Sequence, residues 1–112
     1  MICVRSDLGM KKGKVAAQVG HAVLKAYKKS IKYHNPYLAM WDTVGSAKIT
    51  LNCPSLEELR KLEKDALAAG LICGKIVDAG RTQIASGSVT VLAIGPAPVT
   101  KINTITGHLS LY

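Results

Sequence analysis

Two short apolar runs on either side of a polar loop place the strongest constraint on the fold of this chain. The runs cover residues 71–77, interrupted by Gly74 and Lys75, and residues 89–94, and their β-branched composition is typical of buried strands. The loop between them, residues 78–88, contains a carboxylate, a guanidinium, an amide and three hydroxyl groups. It is longer than a tight hairpin needs, and long ordered loops are more often functional than idle. We therefore expect the chemistry of the protein at this loop.

Helices and strands alternate along the rest of the sequence. Hydrophobic periodicity, capping residues and glycine breaks predict further strands at residues 2–5, 47–51 and 108–112, and helices at residues 14–30, 35–42, 55–70 and 98–105. Asn35 and Pro36 are a typical helix opening, Trp41 is the expected anchor of that short helix, and Ser55 begins a capping box.

This order predicts an α/β protein. Strands that alternate with helices are parallel and joined by right-handed crossovers, whereas a loop alone between the last two core strands introduces an antiparallel neighbour. We expect residues 1–112 to form a single three-layer α/β/α domain, with a mixed four-stranded sheet and helices on both faces. Ligands of such sheets bind beyond the strand ends, so the loops after Arg5 and Val77 should meet beside the start of the first helix.

Positive charge is concentrated at the beginning of the chain. Residues 1–32 hold eight basic residues and one acidic residue, which accounts for +7 of the net charge of +8. On the helix at 14–30, one polar stripe is predicted opposite an apolar stripe that faces the core; its members are Lys14, Gln18, His21, Lys25 and Lys28. Such asymmetry favours a polyanionic partner.

Several kinds of site lack support in the sequence. The loop at 78–88 has no Lys-Ser/Thr pair of a phosphate-binding loop, and no G-x-G-x-x-G follows the first strand. The three histidines have no Cys or His at ligand spacing, so no metal site is expected. Cys3, Cys53 and Cys73 are scattered through strands, where core packing rather than nucleophilic catalysis is the usual role.

The same cysteines, reduced and unpaired, favour a cytoplasmic protein. No apolar run reaches the ~18–20 residues that cross a bilayer, and no signal peptide is recognised at the first strand. We therefore expect no membrane attachment.

Each of the candidate polar residues can be interpreted either as structural or as part of a functional site. A histidine on a polar helix face is usually only solvated, although sharing a stripe with Lys14 and Gln18 raises the odds of a role for His21. Asp78 at the end of a strand either caps the following turn or belongs to a site, and both can hold at once. Thr82 and Thr90 are equally open, since strand propensity alone explains a β-branched residue at 90.

Taken together, these residues resemble the peptidyl-tRNA hydrolases of the second type, the archaeal and eukaryotic family. The resemblance runs through the whole chain in order, and its matching stretches are residues 4–8 (VRSDL), 13–18 (GKVAAQ), 21–22 (HA), 78–85 (DAGRTQIA), 87–88, 90–92, 94–96 and 106–109. An eight-residue motif such as DAGRTQIA is far more specific than a spaced pair. Gly9 and Lys11 depart from the family pattern in the loop before the first helix.

The resemblance implies an enzyme that hydrolyses the ester between a peptide, or an N-blocked aminoacyl group, and tRNA, and we expect it to need no cofactor or metal. It places the catalytic residues at Lys14, His21, Asp78, Thr82 and Thr90. The residues expected to contact tRNA are Lys11, Lys12, Gln18, Lys25, Lys28 and Arg81. A homodimer is one candidate assembly.

The expected mechanism is direct attack of water on the ester. Either Asp78 or neutral His21 would deprotonate the water, and Lys14 would stabilise the oxyanion, helped by backbone N–H groups of Gly80 or Gly87. Thr82 and Thr90 would position water or the ribose hydroxyl. If Lys14 or Arg81 pairs with Asp78, the carboxylate becomes a weaker base and an orienting role is favoured.

Two alternatives come from other classes of protein. A non-catalytic RNA-binding domain explains the basic stripe but not the dense polar loop, and the chain has few aromatic residues for base stacking. A regulatory protein-interaction module would need an exposed apolar patch that the sequence does not identify.

Overall fold

The computed structural model describes residues 1–80 and 84–112. Its helices and strands follow the predicted alternation, and in chain order they are β1 (Ile2–Arg5), α1 (Lys12–Lys32), α2 (Leu38–Thr43), β2 (Thr50–Cys53), α3 (Leu56–Ala68), β3 (Cys73–Val77), β4 (Val89–Ile94) and α4 (Val99–Thr106).

The four strands form one mixed sheet in the order β2–β1–β4–β3. Strand β1 pairs with β2 in parallel, and β4 is antiparallel to both of its neighbours, so that Cys3 aligns with Leu51 on one side and Leu92 on the other. The predicted α/β class with a mixed four-stranded sheet is confirmed. Because β1 and β3 point the same way, the loops that leave them lie at one end of the sheet.

Each face of the sheet has its own apolar core. Ile2, Val4, Val91 and Ala93 face α1, while α3 and α4 cover the other face. The second core consists of alternate strand residues together with Leu59, Leu62, Ala66, Ile102 and Ile105 and their buried neighbours. Strand side chains alternate between faces, so the two cores follow directly from the alternation of the sequence, and the three layers agree with the prediction.

Helix α1 approaches the sheet closely along a line of small and polar side chains. Its buried residues are Gln18, Ala22, Ala26 and Ser30, spaced four apart. Steps of four residues drift by about 40° around a helix, so this line crosses the helix obliquely. The predicted apolar stripe is therefore only partly correct, since Val15, Val19, Val23 and Tyr27 are half-buried. Gln18, assigned to the outer polar stripe, faces the sheet instead.

Several predicted boundaries shift. The second strand lies at Thr50–Cys53 instead of 47–51, because pairing with β1 begins at Ile2 opposite Thr50. Helix α3 begins as predicted, with the Ser55 hydroxyl accepting the N–H of Glu58 at 3.1 Å. The predicted terminal strand is reduced to a single bridge between Leu111 and Leu51.

Helix α2 begins later than predicted. Asn35 is not its N-cap; the side-chain oxygen of Asn35 accepts the N–H of Tyr37 at 3.0 Å, in the turn that precedes the helix. Trp41 is half-buried beside Tyr27, and its indole N–H donates to the carbonyl of Ala47 at 2.9 Å, in agreement with its role as an anchor.

No helix within residues 1–80 and 84–112 combines the length and apolar character needed to cross a membrane.

The contact between α1 and β3 depends on Gly74. A Cβ at this position would lie 2.9 Å from the carbonyl oxygen of Ala22 and 2.9 Å from the backbone nitrogen of Ala26. Because both atoms belong to the backbone of a packed helix, we expect Gly74→Ala to lower the free energy of unfolding by about 1–3 kcal/mol. Urea denaturation monitored by circular dichroism measures this change.

Gly20→Ala is the matched control, since Gly20 lies within α1 and a Cβ there meets nothing within 4 Å. Replacing glycine by alanine on an exposed helix surface should raise stability by about 0.5–1 kcal/mol. Equal effects of the two substitutions would contradict the close packing of α1 on Gly74.

Candidate active site

Asp78 lies directly after β3, where the strand meets the first turn of α1. The residue is 6% exposed, and its Oδ1 forms an ion pair with the ammonium group of Lys14. Oδ2 accepts the backbone N–H of Gly80 at 2.9 Å. Asp78 therefore shapes the turn after β3, as one of its two interpretations predicted, and also presents a buried charge to α1.

Backbone hydrogen bonds fix the loop around Asp78. Its N–H donates to the carbonyl of Ser88 at 2.8 Å, and its carbonyl accepts the N–H of Gly87 at 2.9 Å. Gly80 has φ +78°, and a Cβ there would lie 2.4 Å from that of Ser86, so this position favours glycine. The N–H groups of Gly80 and Gly87, suggested above as oxyanion donors, are both already bonded to Asp78. That suggestion is wrong for this arrangement.

A β-bulge turns Thr90 towards α1. Ile76 aligns with Val91 but Val77 aligns with Val89, which leaves Thr90 as the extra residue of β4. Strict alternation would place residue 90 with Leu92 on the face of α3; the bulge instead brings its hydroxyl to α1, as bulges near functional sites commonly do. There the buried Gln18 amide donates to Thr90 Oγ1 at 3.0 Å.

An open groove connects these groups to the outer surface of α1. It has a volume of about 490 Å³, and its walls are Lys14, Gln18, His21 and Lys25 on α1 and residues 75–79 at the end of β3. The side chains of His21 and Lys25 are exposed, and the ammonium of Lys25 donates to the carbonyl of Lys75 at 2.9 Å. Among the described residues, the imidazole of His21 has no hydrogen-bond or ion-pair partner.

The structure thus brings four of the five predicted catalytic residues to one end of the sheet. Lys14, His21, Asp78 and Thr90 contribute to or adjoin the groove, whereas Thr82 lies outside the described residues. Of the predicted tRNA contacts, Lys11, Lys12, Lys25 and Lys28 are exposed and Arg81 lies outside the described residues. Gln18 does not join the exposed lysines, because it is 5% exposed and bonded to Thr90.

Arg5 supports the same end of the sheet and was not singled out from the sequence. It is 8% exposed, and its guanidinium binds both carboxylate oxygens of Asp7 and donates to the carbonyl of Val89 at 3.1 Å. These contacts join the loop after β1 to the first residue of β4, beside Thr90. The hydrogen bond from Arg5 holds the pKa of the Asp7 carboxyl below its usual range. The sequence signal that could have identified Arg5 is an arginine at the end of an apolar strand, two residues before an aspartate.

The cysteines do not supply a nucleophile. All three are free and buried, and burial raises the pKa of the Cys3 thiol to about 12 and that of Cys73 to about 11. These thiols are protonated at neutral pH, and the thiolate is the reactive form. In the described part of the chain, no three His, Cys, Asp or Glu side chains gather as a metal site would require.

Comparison with known proteins gives consistent matches over the whole chain. The family model described as "Peptidyl-tRNA hydrolase PTH2" matches residues 1–112. The chain is 50% identical over 112 residues to "Probable peptidyl-tRNA hydrolase 2" of Schizosaccharomyces pombe, covering all of this chain and 55% of that protein. It is 47% identical to "Peptidyl-tRNA hydrolase 2, mitochondrial" of Homo sapiens, covering all of this chain and 63% of the human protein.

An archaeal relative has nearly the same length as this chain. "Peptidyl-tRNA hydrolase" of Halobacterium salinarum is 44% identical over 112 residues, which cover all of this chain and 97% of that protein. The chain spans between about half and two thirds of the length of the eukaryotic relatives named above. With a family match over its full length and this degree of identity to the archaeal protein, the chain belongs to the peptidyl-tRNA hydrolase PTH2 family.

Proposed function

We propose that this protein hydrolyses the ester bond between tRNA and a peptide or N-blocked aminoacyl group, and so returns the tRNA for reuse. The observation that carries the proposal is the buried Lys14–Asp78 ion pair, which lies at the wall of an open, cation-rich groove in a member of this family. Relatives that match the chain throughout are named as hydrolases of this type.

Lys14 provides the positive charge for the reaction. Attack of water on the ester carbonyl creates an oxyanion, and a fixed cation in a partly water-excluded site stabilises it more than bulk water does. The Lys14 side chain is 11% exposed, and its pairing with Asp78 fixes the direction of the ammonium group. The N–H groups of Gly80 and Gly87 do not share this task, because they are bonded to Asp78.

Asp78 is better suited to orient Lys14 and a water molecule than to act as the base. Donors occupy both of its oxygens, and donors bound to the charged form of a carboxylate make it a weaker base. His21 is the better candidate for the base, because its imidazole is exposed to the same groove and histidine is the residue type that most often acts as a general base.

Thr90 and Gln18 have positioning roles in this proposal. The Gln18 amide donates to Thr90 Oγ1, which directs the hydroxyl hydrogen of Thr90 away from Gln18 and towards another acceptor. The carbonyl of Ile76 lies 3.5 Å from this hydroxyl, and because Thr90 is fully buried, it acts on the groove through Gln18. A role for Thr82 rests on the family resemblance alone.

The exposed lysines of α1 and of the residue before it form the tRNA contact in this proposal. Lys11, Lys12, Lys25 and Lys28 all reach solvent, and phosphate contacts of this kind are independent of sequence and sensitive to salt. Arg81 is a further candidate from the sequence. A non-catalytic RNA-binding module would use the same lysines but gives no reason to bury Lys14 against Asp78.

Cellular location and assembly are further parts of the proposal. The reduced cysteines favour the cytoplasm, whereas the human and bovine relatives carry the word mitochondrial in their names. We further predict that residues 1–112 form a single domain and that the protein can assemble as a homodimer.

The direct test of this function is the release of an N-acetylated aminoacyl group from tRNA, measured beside the same tRNA that carries the free amino acid. We expect the protein to hydrolyse the N-acetylated ester selectively, and to do so in the presence of a chelator. Tight tRNA binding without turnover would instead support the RNA-binding module, and inhibition by the chelator would contradict a metal-free reaction.

Asp78→Asn should separate catalysis from binding. The amide keeps the size of the side chain and can still accept the Gly80 N–H, but it removes the charge beside Lys14. We expect kcat to fall by about 10²–10³-fold, the usual effect of removing one electrostatic contribution at an active site. The tRNA dissociation constant should change by less than about threefold, because other residues contact the phosphates.

Asp65→Asn is the matched control, since Asp65 pairs with Lys61 on the exposed surface of α3, away from the groove. It should leave turnover and unfolding temperature unchanged. A large loss of tRNA affinity in Asp78→Asn with kcat unchanged would contradict the catalytic assignment.

Lys28→Gln should weaken tRNA binding in a salt-dependent manner. Each phosphate contact contributes about −0.9 to the slope of log K against log salt concentration, so losing one makes the slope shallower by about one unit. Fluorescence anisotropy with labelled tRNA between low and physiological salt measures this slope. Lys64→Gln on α3, on the opposite side of the sheet, should leave it unchanged. Equal slopes for all three proteins would place the tRNA elsewhere.

A further inference from the structure

Strand β3 forms one edge of the sheet, and its outward backbone groups can be identified. The carbonyl of Ile72 accepts the N–H of Gly95, so Ile72, and with it Gly74 and Ile76, directs its backbone polar groups towards β4. The alternate residues Cys73, Lys75 and Val77 direct theirs away from the sheet.

Lysines of α1 cover part of this edge. Lys29 donates to the carbonyl of Cys73 and Lys25 to that of Lys75, both at 2.9 Å. Charged side chains, lysine above all, commonly protect sheet edges against pairing with other chains. The first two outward carbonyls of β3 are therefore occupied.

The protection ends before Val77. Outside the β3–β4 ladder, no hydrogen bond within the described ranges uses the N–H or the carbonyl of Val77 or the N–H of Lys75, and Val77 is 53% exposed. These open groups immediately precede Asp78, and Lys75, Ile76 and Val77 line the same groove as Lys14 and His21. An edge that is protected along its first part and open beside the ion pair is suited to bind an extended chain that ends at the reacting carbonyl.

We propose that the open edge of β3 binds the last residues of the peptide as an added parallel strand. This inference rests on the proposed hydrolase function. With the ester carbonyl at Lys14 and Asp78, the preceding peptide residues lie back along Val77 and Lys75. In parallel pairing, the N–H of Val77 donates to one peptide carbonyl and its carbonyl accepts the peptide N–H two residues further on.

Recognition of this kind does not depend on the sequence of the peptide. Main-chain hydrogen bonds give affinity without reading side chains, and the groove volume of about 490 Å³ lies within the range of ordinary ligand sites. A free aminoacyl ester has no preceding carbonyl for the N–H of Val77, so it gains least from this edge.

The first test uses the unmodified protein and altered substrates. N-acetyl-tri-alanyl-tRNA is compared with versions in which one alanine at a time is N-methylated, which removes a single peptide N–H. A strand on an edge bonds through alternate residues, so methylation at one position should raise KM by about 3–10-fold and methylation at the next by much less. KM values that do not change at any position, or that rise equally at adjacent positions, would overturn the added strand.

The second test removes the donor from the protein. Val77→Pro deletes an outward N–H without deleting a bond to β4, and proline is tolerated on edge strands in this orientation. We expect its KM for N-acetyl-tri-alanyl-tRNA to rise by about 3–10-fold, and Val77→Thr, which keeps the N–H, to lose less. Unfolding temperatures of both variants establish that they are folded. Equal KM values for the two variants would show that only the side chain matters, which overturns the inference.

The two proposals fail in different ways. If the wild-type protein hydrolyses no N-acetylated substrate, the proposed function is overturned, and the peptide site with it. If hydrolysis proceeds and neither substrate methylation nor Val77→Pro has the expected effect, only the peptide site is overturned.

Discussion

The ion pair between Lys14 and Asp78 joins the first turn of α1 to the loop that follows β3. One partner comes from the first turn of α1 and the other from the end of β3, and their side chains are 11% and 5% exposed. Taking two charges out of water is costly, and a buried charge without its partner is more costly still. The position of α1 along the sheet is thus tied to the loop after β3. Since that pair also supplies the charges for the proposed reaction, the geometry of catalysis and the packing of the helix depend on the same contact.

Close packing of α1 makes this contact feasible. Ala22 and Ala26 lie against Gly74, and the absence of larger side chains brings the helix near enough for Gln18 to reach the bulged Thr90. The opposite side of α1 keeps its lysines in solvent. One helix therefore carries the proposed oxyanion cation, the amide that orients Thr90 and the surface proposed for tRNA, and the small residues facing the sheet fix all three relative to Asp78.

Sequence patterns identified the parts of this arrangement that depend on local chemistry. The alternation of strands and helices, the Ser55 cap and the meeting of the loops after Arg5 and Val77 follow from periodicity, capping and the parallel direction of β1 and β3. The bulge at Thr90 could not be predicted from the sequence, because it arises from the register between β3 and β4. Gln18 was misplaced, since a helical wheel assumes a contact line parallel to the axis whereas α1 crosses the sheet obliquely. The second strand was misplaced for a similar reason: residues 47–49 are suited to a strand, but pairing with β1 begins at Thr50.

An open groove at a sheet edge is suited to the cleavage of an ester that joins two large groups. In an enclosed pocket, the tRNA and the peptide of the proposed substrate could not leave the reacting ester in opposite directions. Here α1, with Lys14, His21 and Lys25, forms one wall of the groove, and residues 75–79 at the end of β3 form the other. The antiparallel β4 makes this possible: by entering the sheet between β1 and β3, it leaves β3 at the edge while Thr90 still reaches the site from inside. If β3 had paired with β1 as a further parallel strand inside the sheet, Asp78 could still pair with Lys14 of α1. Strand β3 would then no longer offer an open edge beside that pair. The strand order, as much as any side chain, therefore determines what kind of substrate this site can accept.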